Sequence, residues 1–198
     1  MHRQRKTASD RKGNMREGDI IAMRSDTWLS RQIRKVESRA DGGELALVSH
    51  VGLFITHDVV IEARARVVCT TFPDGFIGNE YIVLSPTNVT AVQRVAIAKA
   101  SLLFSARGYG YLKILGQALD VLSGSRWFTS NIFTIDKFPI CSYVVAEAYA
   151  AAGLDFGVPT KSTTPDDILD YAMRNPAKYE NRMCSANLMK DIKAVYGC

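Results

Sequence analysis

The chain has 198 residues, 47% of them hydrophobic, which suits one well-cored domain and is short for two. Its formal charge of +5 lies wholly in the first sixteen residues, MHRQRKTASDRKGNMR; the rest balances at 19 basic against 19 acidic residues, so no basic face for nucleic acid is written into the fold itself. Four scattered cysteines with no C-x-x-C pair, and only three histidines, exclude a zinc ribbon, a dithiol redox motif and a histidine-rich metal site, and no cofactor is expected.

Residues 1–16 read as a disordered basic arm, and residues 17–198 as a single domain. In the arm, Arg3, Arg5, Lys6, Arg11, Lys12 and Arg16 are candidates for contact with a polyanion, against the plainer reading of a solvated terminus. The arm has no apolar core of a secretory signal, and no run of about 18 apolar residues follows anywhere, so synthesis in the cytoplasm without a membrane span is expected.

In chain order, EGDIIAM (Glu17 to Met23) predicts a turn into a short apolar strand. SDTWLSRQIRKVESRADGG then spaces Trp28, Leu29, Ile33 and Val36 as one face of a helix, with Arg31, Arg34, Lys35 and Arg39 on its solvated side. LALVSHVGLFITHDVVIEARARVV is the most β-like stretch, and it predicts a hairpin of Leu47 to Ile55 and Val59 to Val68 turning at THD. A further strand, YIVLS, ends at Pro86, and apolar spacing predicts a helix from Asn88 to Arg107 that stops at Gly108. A second helical piece, YLKILGQALDVLSG, comes next. CSYVVAEAYAAAG predicts a helix from Cys141 to Gly153, and STTPDDILDYAMRNP another, with Thr164 as N-cap, Pro165 at N1 and Asp167 at N3. A last helix spans about Arg182 to Tyr196. The order predicts an α+β fold in which a small antiparallel sheet packs against helices.

Three residues carry candidate chemistry. Cys141 precedes Val144 and Val145 by three and four positions, on the inward face of its helix, and sits in the first turn, where free backbone N–H groups favour a thiolate. The plain alternative is a buried, inert cysteine. Within the domain only His50 and His57 offer a base; His57 falls in the turn, whereas His50 lies in the strand SHVGLFI, beside Gly52, whose missing side chain lets another element come close. Glu62, an even number of residues further on, falls on the same face as His50, directly opposite it or diagonal to it. Its apolar flanks, VVIEA, demand a partner, which is either His50 or the neighbouring Arg64 or Arg66.

GDIIAM, a short helix, SHVGLFI, VIEA, and CSYVVAEAYAAAG followed by TTPDDI together resemble the circularly permuted branch of the NlpC-type papain-like cysteine hydrolases, the YiiX-like group, related to the lecithin:retinol acyltransferase-like proteins. The resemblance runs from about Gly18 to Ile168 and implies a permuted papain-like fold with the nucleophile at a helix N-terminus. It implies Cys141 as nucleophile, His50 as base and Glu62 as the residue that orients the base. A peptidase or amidase is implied, with peptidoglycan-type peptides the first substrate class and lipid acyl hydrolysis or transfer the alternative. Such an enzyme, made in the cytoplasm, meets its substrate through lysis, a phage particle or a secretion machine. Residues 108–140 depart from the pattern, and Tyr109, Tyr111 and Tyr143 are unranked candidates for an auxiliary role. A rival of another class is a non-catalytic structural or binding protein that uses the basic arm. Nucleotide binding through GYGYLKILG is disfavoured, because that run follows a helix and lacks a Lys-Ser/Thr ending.

Overall fold

The structure, a computed structural model, describes residues 15–27, 46–64, 66–105 and 141–197, together with Ser30, Arg31, Arg34, Lys35 and Ser38. The described residues form an α+β fold built on a six-stranded antiparallel sheet. Its strands are β1 (Ile20–Arg24), β2 (His50–Phe54), β3 (Val59–Ala63), β4 (Val67–Thr71), β5 (Glu80–Pro86) and β6 (Tyr179–Cys184), in the spatial order β4-β3-β2-β1-β5-β6. The helices are α1 (Ala91–Leu102), α2 (Cys141–Ala150), α3 (Pro165–Arg174) and α4 (Ala186–Tyr196).

Period-two alternation assigns the two faces of the sheet. Ile20, Ala22, Val51, Leu53, Ile61 and Leu84 join Val144, Val145 and Ala148 of α2, Ile97 of α1 and Ile168 of α3 in the larger core. Ile21, Met23, Phe54, Val60 and Val83 form a second core with Met15, Phe72 and Phe76, where Phe54 and Phe72 meet edge to face at 5.2 Å. Both faces of β1 are therefore covered, which is why IIAM is continuously apolar and does not alternate.

One buried polar knot ties the sheet to α1. Asp19 is fully buried; its Oδ1 accepts from Arg94 Nη1 at 2.9 Å and from Ser85 Oγ at 2.6 Å, while Oδ2 accepts from the backbone of Arg16. Arg94 also donates to the carbonyls of Glu17 and Pro86, so its guanidinium joins three chain segments where β1 and β5 lie side by side. Nearby, Tyr149 of α2 donates to Gly18 O at 2.6 Å and holds that helix to the turn that opens β1.

Several expectations need correcting. The second arm of the predicted hairpin, Val59 to Val68, is two strands: the chain folds back at Arg64 to Arg66, with Arg64 N–H donating to Arg66 O, so the two basic residues ARAR mark a turn and not the middle of a strand. Residues 46–48 are buried but not in a strand, and β2 starts only at His50. The helix expected from Asn88 to Arg107 spans Ala91 to Leu102, because Thr90 and Gln93 form a capping box that fixes its start. The last helix begins at Ala186, not near Arg182; the residues before it form β6, an edge strand whose YENRMC carries no β-branched residue to announce it. At α3 the expected caps are present: Thr164 Oγ1 accepts from Asp167 N and Asp167 Oδ2 from Thr164 N, with Pro165 opening the helix. No helix among the described residues is long and apolar enough to cross a membrane. The greater part of the helix expected over 25–43, the piece YLKILGQALDVLSG, the 108–140 segment with Tyr109 and Tyr111, and arm residues 1–14 lie outside the described residues.

A candidate cysteine, histidine and glutamate site

The β2–β3 hairpin sets His50 and the carboxylate of Glu62. Residues 55–58 make the turn, and the register pairs Gly52 with Glu62, Leu53 with Ile61 and Phe54 with Val60. Glu62 is therefore diagonal to His50, not opposite it, and its partner across the ladder is Gly52. A Cβ on residue 52 would lie 2.7 Å from Val60 Cγ1, 3.2 Å from Ile61 O and 3.3 Å from Glu62 Cβ. The glycine thus leaves the space across which the carboxylate reaches the ring: Glu62 Oε2 stands 3.0 Å from His50 Nε2. The close approach that SHVG suggested is made by the next strand of the same hairpin.

Glu62 is 1% exposed, yet its carboxylate has three donors. Thr70 Oγ1 on β4 donates to Oε1 at 2.6 Å, and Arg64 Nε stands 3.0 Å from Oε2, the oxygen that meets His50. The two pairings open at the level of sequence, with His50 or with Arg64, coexist on one oxygen. Burial alone would raise the Glu62 carboxyl, but the hydrogen bond and charge of His50, the Thr70 hydroxyl and the Arg64 guanidinium outweigh it and hold the group below the usual carboxylate range. Thr70 was not singled out in the sequence. Its signal is the even spacing from Glu62 across the β3–β4 hairpin, which becomes readable once Arg64 to Arg66 is recognised as a turn.

Cys141 is the first residue of α2 and is 5% exposed, packed in the larger core with Val144 and Val145 one turn on. Its thiol hydrogen-bonds to His50, which is the first residue of β2 and so stands where that strand begins. With Nε2 engaged by Glu62, Nδ1 is the ring nitrogen left for the sulfur. Burial pushes the Cys141 thiol up, but the His50 charge, the hydrogen bond from the ring and the backbone N–H groups of Val51 and Ser142 together bring it down. Burial likewise opposes charge on the His50 ring; the Cys141 sulfur and then Glu62 override it and hold the imidazole at about 9. The two shifts have one cause: an imidazolium and a thiolate that stabilise each other, with the carboxylate behind the ring.

The other cysteines and histidine differ. Burial raises the Cys69 thiol, and burial with Glu80 pushes Cys184 up to about 11 against the opposing charge of Arg24. His57 is exposed in the turn, with Asp58 beside it at 3.7 Å. Tyr143 is half-buried in the first turn of α2, edge to face with Phe104. Among the described residues no group of three or more His, Cys, Asp and Glu side chains is arranged to hold a metal ion.

The chain beside Cys141 and the chain before His50 each have a further tether. Ser142 Oγ donates to Thr163 O at 2.6 Å, and Asp166 Oδ1 accepts from Leu47 N at 2.9 Å and Val48 N at 3.3 Å. What the arrangement can do chemically follows from its parts: a thiol brought down toward its ionised form, a ring able to hold and return one proton, and helix N–H groups beside the sulfur for developing negative charge. Compared with known proteins, the chain matches no family model and no curated sequence.

Proposed function

We propose that this protein is a cysteine hydrolase of the permuted NlpC-type papain-like class, cleaving an amide bond through Cys141, His50 and Glu62. The observation that carries the reading is the joint geometry of the three: a buried thiol hydrogen-bonded to His50, whose Nε2 is held 3.0 Å from a fully buried carboxylate. A structural cysteine needs none of this, and an ionic pair in the core is costly unless each member is satisfied.

In the reaction so proposed, the Cys141 thiolate attacks the substrate carbonyl carbon, and the carbonyl π electrons move onto oxygen, where first-turn backbone N–H groups of α2 accept the charge. As the tetrahedral adduct collapses, the C–N bond breaks and the His50 imidazolium gives its proton to the departing amine, leaving a thioester. Water then attacks the thioester, passing a proton to the neutral His50; the C–S bond breaks, the acid leaves and the thiolate–imidazolium pair is restored. Glu62 keeps the ring turned so that one nitrogen serves the sulfur and the leaving group. Peptidoglycan-type peptides are the first substrate class, on the resemblance of the sequence words; the same steps cleave an acyl ester.

The test is intact-mass measurement after incubation of the full chain with a panel of muropeptides and a panel of acyl esters. An acyl adduct on Cys141 or turnover of a muropeptide, absent in Cys141→Ala, is the expected result. Adducts from esters alone would move the substrate to lipids, and turnover that persists in Cys141→Ala would overturn the mechanism.

A further inference from the structure

The segment TTPD, Thr163 to Asp166, follows Cys141 by more than twenty residues and His50 by more than a hundred, and it grips the chain next to each. At one end, Thr163 O accepts the Ser142 hydroxyl at 2.6 Å, both residues being buried, so the residue following the nucleophile is pinned to it. At the other end, Asp166, 6% exposed, accepts the backbone N–H groups of Leu47 and Val48, which have no strand partner because β2 has not yet begun. Between the two ends the Thr164–Asp167 capping box and Pro165 fix the backbone at the start of α3. Two residues beyond Val48, His50 opens β2, after Ser49 N–H has docked on Met23 O.

Resting on the catalytic reading above, we infer that Thr163 to Asp166 is a clamp that sets the distance between the sulfur and the ring, with Asp166 as a positioning residue. The physical need is plain. Cys141 comes from a helix and His50 from the first position of a strand; the Val51 N–H and the shared core hold β2 to α2 from the C-terminal side of His50, while on its N-terminal side Leu47 and Val48 have no ladder and depend on Asp166. Thr163 O and the Asp166 carboxylate, fixed on one short turn, hold the two approaches in a common frame. The ring also faces Glu62 on β3, with Arg64 and Thr70 on that carboxylate, and none of these side chains is substituted in the clamp variants.

The experiment measures the rate of alkylation of Cys141 by iodoacetamide against pH, residue by residue, by mass spectrometry on the full chain, with exposed Cys69 in the same molecule as the internal reference. In the wild type, Cys141 is expected to outpace Cys69 at pH 6. Asp166→Ala, which leaves two buried N–H groups without an acceptor, is expected to lower the Cys141 rate at pH 6 by about tenfold, the effect of a sub-ångström to ångström misplacement, with Cys69 unchanged. Asp166→Asn keeps an amide oxygen in the same place and is expected to retain most of the wild-type rate. A folded Asp166→Ala with the wild-type ratio of Cys141 to Cys69, or equal losses in the alanine and asparagine variants, overturns the clamp. Should Asp166→Ala fail to fold, Ser142→Ala decides: it removes the tether to Thr163 while keeping the backbone N–H at the sulfur, and an unchanged rate there overturns the inference. A wild-type Cys141 no faster than Cys69 at pH 6 sinks the catalytic reading itself, and the clamp with it, whereas loss confined to the variants leaves that reading standing.

Discussion

Replacing Glu62 by glutamine asks how much of the charge on His50 depends on its carboxylate. Glutamine keeps the volume and one oxygen for the ring, so the packing of β3 and the space left by Gly52 are retained while the negative charge is lost. Holding His50 at about 9 in place of 6.5 corresponds to about 3 kcal/mol in favour of the imidazolium. Burial works against that figure, so the Cys141 sulfur and Glu62 together supply more than the net amount. Each pH unit of that shift corresponds to about 1 kcal/mol, so losing the Glu62 share moves the His50 midpoint down from about 9 and lowers the imidazolium fraction at pH 8. The assay is an NMR titration of the His50 ring in both proteins, read beside the basic limb of the proposed hydrolysis, which should fail when the leaving amine can no longer be protonated. The sign is fixed by linkage. A raised histidine contributes stability that is complete below about 6.5 and lost as pH rises through about 9, so Glu62→Gln also flattens the fall in stability across that window. A His50 midpoint unchanged in Glu62→Gln would refute the reasoning, since Glu62 would then be bound to Arg64 and Thr70 and only a neighbour of the ring.

Other consequences are simpler to measure. At pH 6 to 7, limiting iodoacetamide should label Cys141 ahead of Cys69 and Cys184, because only Cys141 of these has its thiol brought down; faster labelling of Cys184, pushed up to about 11, would contradict the electrostatics. Gly52→Ala drives a methyl to 2.7 Å from Val60 Cγ1 and against the Ile61 carbonyl, an overpacking cost of about 1–3 kcal/mol. In a chain of this size that lowers the melting temperature by about 2–4 °C per kcal/mol, and it displaces Glu62, so low-pH labelling of Cys141 should fall in parallel; a melting curve that does not move would count against the close approach. Arg94→Met strands the buried Asp19 carboxylate and should cost about 3–5 kcal/mol in urea denaturation, with partial recovery when Asp19→Asn is added; a cost under about 1 kcal/mol would mean that the knot is slack.

How legible was all this in the sequence? The α+β class, the β2–β3 hairpin and the caps of α3 follow from local rules: β-branched runs, a turn at THD, and Thr164, Pro165 and Asp167 at fixed offsets. What escaped has no local signature. The strand β6 is an edge strand, half polar and held by its ladder to β5, so tertiary pairing creates it where propensity does not. The turn at Arg64 to Arg66 broke a β-branched run with no glycine or proline to mark it. Arg94 lies at a position of α1 that looks solvent-facing by type, and is buried because Asp19, 75 residues earlier, waits for its charge.

The candidate site shows the same division at finer grain. That His50 and Glu62 share a face needs only the even spacing between them, because period two is rigid. Whether the carboxylate lies opposite the ring or diagonal to it depends on the turn register, which sequence leaves open by one step; the register chosen puts Gly52 opposite Glu62, and so gives the glycine a role different from the one its place beside His50 suggested. The contact between Cys141 and His50 is of a third kind. It joins the first residue of a helix to the first residue of a strand 91 positions away, and no periodicity relates them. What fixes such a contact must be made of other long-range bonds. The hydrogen bonds of Thr163 and Asp166 to Ser142 and to Leu47 and Val48 are bonds of that kind, and they are formed by hydroxyl, carboxylate and backbone groups whose partners only the folded chain reveals. The meeting of Cys141 and His50 is thus specified less by the residues around each in sequence than by long-range bonds that bring two element termini together.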